Sequence, residues 1–284
     1  FAGIAAIDNQ EGGDIQASAY SGNAYGVYAI SIFGDATVNN SGSIAASSFG
    51  GNATAITATS IFGDASVTSA GHTEAYSLDG NTTGIYASSL AGTASIDNSG
   101  EIQTGSVYGN TVGAYASTYF YTASVTNSGS IEASSIFGSA TGALATSAYG
   151  IAEVINAETG TIQATSNYYA VGASVYGGEV GRITNYGSIA ADAHSEYDFA
   201  YAYGTIASGG LGVNLNYGSI SAEATVDNGG LAIATGAFSN ASAATIVNEG
   251  SIEATAHAGD GFAVAYGANA YGLFNGVYNY GDVQ

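Results

Sequence analysis

The sequence predicts an all-β chain wound as a parallel β-solenoid, or β-helix, with about three short strands per 29–32-residue coil and roughly nine to ten coils. Three observations predict it. An isoleucine returns at Ile15, Ile44, Ile102, Ile131, Ile162, Ile189, Ile220 and Ile252, with Thr73 filling the one long gap and Val283 completing the column. Apolar and polar residues alternate around each recurrence. A short polar turn, usually Asn-x-Gly, precedes it.

The first strand of each repeat carries the column Ile7, Val38, Val67, Ile96, Val125, Ile183 and Leu215. The turn follows, as in Asn40-Ser41-Gly42, Asn98-Ser99-Gly100, Asn127-Ser128-Gly129 and Asn185-Tyr186-Gly187. Asn and Gly both tolerate positive φ, so a sharp bend is expected there. The second strand holds the isoleucine and, two residues on, an alanine: Ala17, Ala46, Ala75, Ala133 and onward, with Thr104 the exception. The residue between is polar or small, as at Gln16, Glu74, Gln103 and Glu132, which is the period-two pattern of a strand with one wet face. The third strand opens after Asn23, Asn52, Asn81 and Asn110. It carries Val27, Ile56, Ile85, Ala114 and Ala143, then Ala29, Ala58, Ala87, Ala116 and Ala145.

One such turn cannot bury its own apolar side, but stacked turns can. A one-residue slip would turn Ile and Ala outward and Glu and Gln inward, so the alternation fixes the register. Stacked asparagines can donate and accept along the column. The chain has no proline, which would delete a ladder bond in a central strand.

Composition excludes several classes. Arg182 is the only Lys or Arg, against 22 carboxylates, for a formal charge of -21. Such a chain is repelled by phosphate backbones and by anionic membrane surfaces, so nucleic acid is not an expected partner. With 46% hydrophobic and 11% aromatic residues it is not an acidic disordered tail. No apolar run is long enough for a membrane-spanning helix, so no membrane insertion of this segment is expected. There is no cysteine, hence no disulfide framework. The start at Phe1, inside a repeat and without a basic leader, reads as a mature fragment or excerpt of a longer repetitive chain. Residues 1–284 are expected to form a single β-solenoid repeat domain.

The recurring "NSGSI" and "NSGEI", followed by segments of the "GNAxGxYA" kind at Gly22–Ala29, Gly80–Ala87 and Gly109–Ala116, resembles the passenger regions of bacterial autotransporters and related filamentous surface adhesins. The resemblance runs from Ile7 to Val283. It implies export to the outer cell surface of a Gram-negative bacterium and a stalk or adhesive fibre.

The residues themselves offer few constellations for chemistry. Polysaccharide-cleaving β-helices need clustered carboxylates and a basic group. Arg182 could supply the base, but a surface guanidinium near Glu179 is the expectation. His72, His194 and His257 lie in three different repeats and are not expected to converge on a metal or a triad. Asp35 and Asp64 are in register as "FGDATV" and "FGDASV". They are a cation site or simply surface acids, and the sequence leaves that open. Asp8 and Asp97 match in position, with Asn39 and Thr68 between. No catalytic, metal or cofactor residue is therefore assigned. Tyr28, Tyr86 and Tyr115 share one outward column with Thr57 and Leu144. They form either a cross-rung ladder or a face for sugar rings. Thr57 and Thr59 do not recur in adjacent rungs, so an ice-binding face is not expected. The leading expectation is a secreted structural or adhesive rod that associates end to end with further coils. A glycan-binding adhesin using the tyrosines is the rival, and a polysaccharide-active enzyme a distant third.

Overall fold

The computed structural model describes residues 3–284; Phe1, read above as lying inside a repeat, falls outside them. Among the described residues every regular element is a strand, and strands pair parallel with their copies one coil away. About ten coils stack, one for each of the residues Asn9, Asn40, Ser69, Asn98, Asn127, Asn156, Asn185, Asn216, Asn248 and Asn279, which pair in succession at the end of the first side.

Each N-terminal coil has three sides. The first coil runs through Ala5–Asn9, Asp14–Ala19 and Ala24–Ser31, and the fourth through Ala94–Asn98, Glu101–Ser106 and Thr111–Thr118. From residue 169 the third and first sides fuse into single long strands: Tyr169–Asn185, Phe199–Asn216 and Leu231–Asn248. The four-residue corner that separates them earlier shrinks to an irregularity between Gly177 and Val180. Gly209, one coil on, bends there at φ 148°, a backbone conformation that favours glycine. The second side lengthens in step, to eight residues in Ser188–Ser195, Ser219–Val226 and Ser251–Ala258.

The core follows the predicted columns. Ile44, Ile102, Ile131, Ile162, Ile189, Ile220 and Ile252 are all 2% exposed or less. Each isoleucine so buried contributes about 1.5–3 kcal/mol. The alanine columns of the second and third sides lie inside with them. One predicted column needs correction. Ile183 pairs with Asn214, not Leu215, and Ile246 follows in the next coil. Leu215 faces outward, and Asn214 is buried in the apolar column, its Nδ2 donating to the Phe238 carbonyl at 2.8 Å.

The third side contains a bend that the sequence pattern did not announce. Its alternation slips at Gly84–Ile85, where two consecutive residues point inward. Glycine is required there by close approach: a Cβ on Gly84 would lie 2.5 Å from Ile102 Cγ2, and one on Gly26 2.8 Å from Ile44 Cγ2. Ala55 is the exception in the glycine column, between Gly26 and Gly84. It stands against residue 73, which is where the isoleucine column holds Thr73. A methyl group gained on one strand thus accompanies a smaller side chain on the other.

The Asn-x-Gly corners also differ from expectation. Their glycines do not adopt positive φ. They are needed because coils stack so closely: a Cβ on Gly129 would lie 2.7 Å from the Ser99 carbonyl carbon of the preceding coil.

Candidate interaction surfaces

The outer surface is built by the same periodicity that fills the core. At the first corner the asparagines form a buried ladder. Asn98 Nδ2 donates to Asn127 Oδ1 at 2.8 Å, Asn127 to Asn156 at 2.9 Å and Asn156 to Asn185 at 2.9 Å. Asn185, Asn216 and Asn248 continue it in the same direction. Asn9 and Asn156 belong to this ladder although their corners are two residues longer. Gly13 and Gly160 there accept from the Asn amides, as the third residue of Asn-x-Gly does elsewhere. The inserted residues hid both asparagines from the sequence motif.

The other two corners rest on a device that sequence reasoning missed, a buried serine three residues before a glycine. Ser106 Oγ accepts from the Gly109 amide at 2.8 Å and donates to the Gly80 carbonyl of the preceding coil at 2.8 Å. Ser48, Ser60, Ser77 and Ser135 do the same at their corners, and Ser147 joins the Gly150 amide to the Tyr121 carbonyl. The signal was available as Ser-x-x-Gly. The serine closes its own turn and ties it to the preceding coil, so one hydroxyl satisfies two backbone groups.

The candidate chemical residues take structural places. Arg182 meets Glu153 of the neighbouring coil at 3.4 Å, rather than Glu179, in an open surface pair. His72 Nδ1 contacts Glu101 at 3.1 Å and its Nε2 lies 3.8 Å from Glu74. His194 contacts Asp227 at 3.0 Å. His194 and His257 stand in one column of the second side, nearer than separate repeats suggested, but Thr225 lies between them. Asp8 and Asp97 are three rungs apart. Asp35 Oδ1 accepts from the Asp64 amide at 2.9 Å and Asp64 Oδ1 from the Thr93 amide at 2.7 Å. Asn23, Asn52, Asn81 and Asn110 accept from the next coil in the same manner. The two aspartates thus act as corner acceptors. Among the described residues no three His, Cys, Asp or Glu side chains gather for a metal ion.

Two shallow depressions mark the outer sheets. One, of about 310 Å³ on the second side, is lined by Glu74, Gln103, Glu132 and Gln163, with the Tyr76 ring over Gly105. The other, of about 350 Å³ on the third side, is bounded by Tyr25, Tyr28, Tyr86 and Tyr115 around Thr57. The tyrosine column faces outward as predicted. Tyr86 and Tyr115 pack at 5.2 Å between ring centroids, tilted by 45°, and the Tyr115 hydroxyl pairs with Thr146 at 3.3 Å. Thr57 faces outward too, yet only 4% of it is exposed, because it lies in the column between Tyr28 and Tyr86. The column is therefore part ladder and part open surface. Further along the third side burial pushes the Tyr169 and Tyr203 phenols up, each helped by a neighbouring tyrosine.

Comparison of the chain with protein-family models, with curated proteins and with solved structures gives no match in any of the three.

Proposed function

We propose that this chain is a structural rod of the bacterial cell surface, a stalk or filament-forming segment of the autotransporter-passenger kind that works outside the cell. The observation that supports this reading is the parallel strand ladder that runs through about ten coils, with inward residue columns and corner hydrogen bonds that recur from coil to coil. At about 4.8 Å per coil the ladder amounts to a rod of roughly 45 Å. Load along the rod is shared by every backbone hydrogen bond of a rung. The net charge of -21 keeps the chain soluble.

The partner class that fits the ladder is more of the same: a further coil, in the same polypeptide or another copy, can pair on an open coil edge. Function as an enzyme is not part of the proposal. The lone guanidinium is paired with Glu153, and the carboxylates of the second-side depression have no base beside them except His72.

Immunogold labelling of intact source cells tests the location, and force spectroscopy on the 284-residue chain tests the mechanical role. Surface label and coil-by-coil unravelling at high force are expected. Label confined to the cell interior, or release of reducing sugar from a polysaccharide by the purified chain, would overturn the reading.

A further inference from the structure

None of the 22 carboxylates stands on the third side of the solenoid. The pattern holds through Ala24–Ser31, Ala53–Ser60, Thr82–Ser89, Thr111–Thr118 and Ser139–Ser147, through residues 169–176, 199–208 and 231–240 of the fused strands, and through Phe262–Tyr271. Arg182 and the three histidines lie elsewhere as well. The second side, by contrast, carries Glu74, Glu101, Glu132, Asp192, Glu223 and Glu253. A molecule with a charge of -21 thus keeps one whole sheet face neutral over nine successive rungs.

That face is also apolar at its rims. Phe33 stacks on Phe62 at one corner, 5.4 Å apart and 7° from parallel. Tyr20 on Phe49 and Tyr108 on Phe137 stack at the other. Between the rims Tyr25, Tyr28 and Ile30 are each about half exposed, at 48%, 52% and 56%.

We propose that the third side is a lateral docking face for a second copy of this chain, laid face to face. Three arguments select that occupant. The first is charge. Two copies bring 22 carboxylates each, and only third side against third side leaves none of them between the sheets. Any other pairing desolvates or crowds carboxylates, with one arginine per copy to answer them. The second is period. Two copies share one rung spacing, so a contact made at one rung recurs at the next, as in paired sheets of identical strands. A ligand with another repeat drifts out of step along nine rungs. The third is area. Eight residues of strand by nine rungs give a face on the order of 1,000 Å² per copy, above the ~800 Å² per partner of a standard stable interface. The contact is isologous, each copy offering the same patch. It does not depend on where the rod is displayed, so it stands or falls separately from the cell-surface reading.

Sedimentation velocity on the 284-residue chain tests it. Thr83→Glu and Thr141→Glu each place a carboxylate on the outward face of the third side, in one column two rungs apart, and Thr68→Glu places the same charge on the exposed first side as a control. A dimer at about 100 µM in ~0.15 M salt is expected for the native chain and the control. The two third-side variants should weaken dimerisation tenfold or more, with circular dichroism reporting an unchanged sheet. A native chain that stays monomeric at that concentration would overturn the proposal. So would a dimer indifferent to both third-side variants, since that association uses another surface. A monomer that binds an insoluble neutral polysaccharide, and loses that binding in the same variants, would assign the face to a glycan instead.

Discussion

Asn98 lies one coil beyond Ser69, and its buried Oδ1 has no hydrogen-bond partner. In the complete parts of the ladder that atom accepts from the asparagine of the preceding coil. Ser69 instead bonds the Thr73 hydroxyl at 3.2 Å, and Asn40 divides its amide between the two, at 3.4 and 3.3 Å. An unpaired buried acceptor costs about 1–3 kcal/mol. Ser69→Asn should therefore raise stability by about 1 kcal/mol or more, read as a higher midpoint in guanidinium with an unchanged slope. A fall in the midpoint would mean that the Ser69–Thr73 pair is worth more than the continuous column.

The glycine column gives a two-site prediction. Gly84→Ala forces a methyl against Ile102 Cγ2 and the Gly113 carbonyl, at 2.5 and 2.6 Å, and should destabilise by about 1–3 kcal/mol. Thr73→Ile should be penalised while Ala55 is present and tolerated once Ala55→Gly is added. Thermal melts of the four members of that cycle measure the coupling. Strict additivity would show that residues 55 and 73 do not share one space.

Serine and threonine on the inner face should respond in opposite ways. Ser106→Ala removes the partner of both the Gly109 amide and the Gly80 carbonyl, so a loss of about 1–3 kcal/mol is expected. Thr111 Oγ1 is buried with no partner, and the neighbouring rungs hold Thr82 and Ala140 at that position. Thr111→Ala should therefore be neutral or stabilising. The same denaturation series reads both.

Trypsin has one possible site. The Arg182–Ile183 bond lies within Tyr169–Asn185, which is paired on one flank with Ile151–Asn156 and on the other with Phe199–Asn216. Cleavage requires a strand held on both sides to open, so the native chain should survive trypsin for hours and be cut at once in denaturant. Fast nicking in native buffer would show that this rung opens on its own.

Alkaline pH should loosen the third side. Tyr169 and Tyr203 pack at 5.7 Å between ring centroids, and burial holds both phenols above their ordinary range. A raised pKa means that the folded state keeps protons which the unfolded chain gives up first. The stability they contribute is complete below the ordinary tyrosine pKa of about 10 and is lost as pH rises through the higher folded values. Ultraviolet titration should show late-ionising tyrosines, Tyr169 and Tyr203 among them, and a melting temperature that falls over the same interval. In the Tyr169→Phe variant one late step should vanish and the fall should shrink.

Legibility in the sequence follows periodicity. The isoleucine and alanine columns could be read directly, because burial on one face forces the same residue type at the same place in every coil. Asn9 and Asn156 were missed because two inserted residues lengthen their corners while leaving the ladder intact. Leu215 was misplaced for the converse reason. An aliphatic beside an asparagine looks like the column, and only the pairing of Asn214 with Ile183 shows which of the two points inward. Fusion of the third and first sides after residue 169 left one trace, the short interval from Ile162 to Ile189. The candidate surface was legible only in part. The outward tyrosines followed from parity, but the neutrality of the whole third side emerged once strand limits separated side from corner.

The amide ladder has a direction. In every asparagine pair the donor belongs to the earlier coil and the acceptor to the later one, from Asn9 with Asn40 to Asn248 with Asn279. Side-chain dipoles so aligned add head to tail, as peptide dipoles do along a helix, and each polarises the next. The column is an electrical axis buried in a low-dielectric interior, broken once at Ser69. The rod is therefore a vector and not merely a length: its field tells one direction from the other, and whatever meets it along its axis meets a signed object.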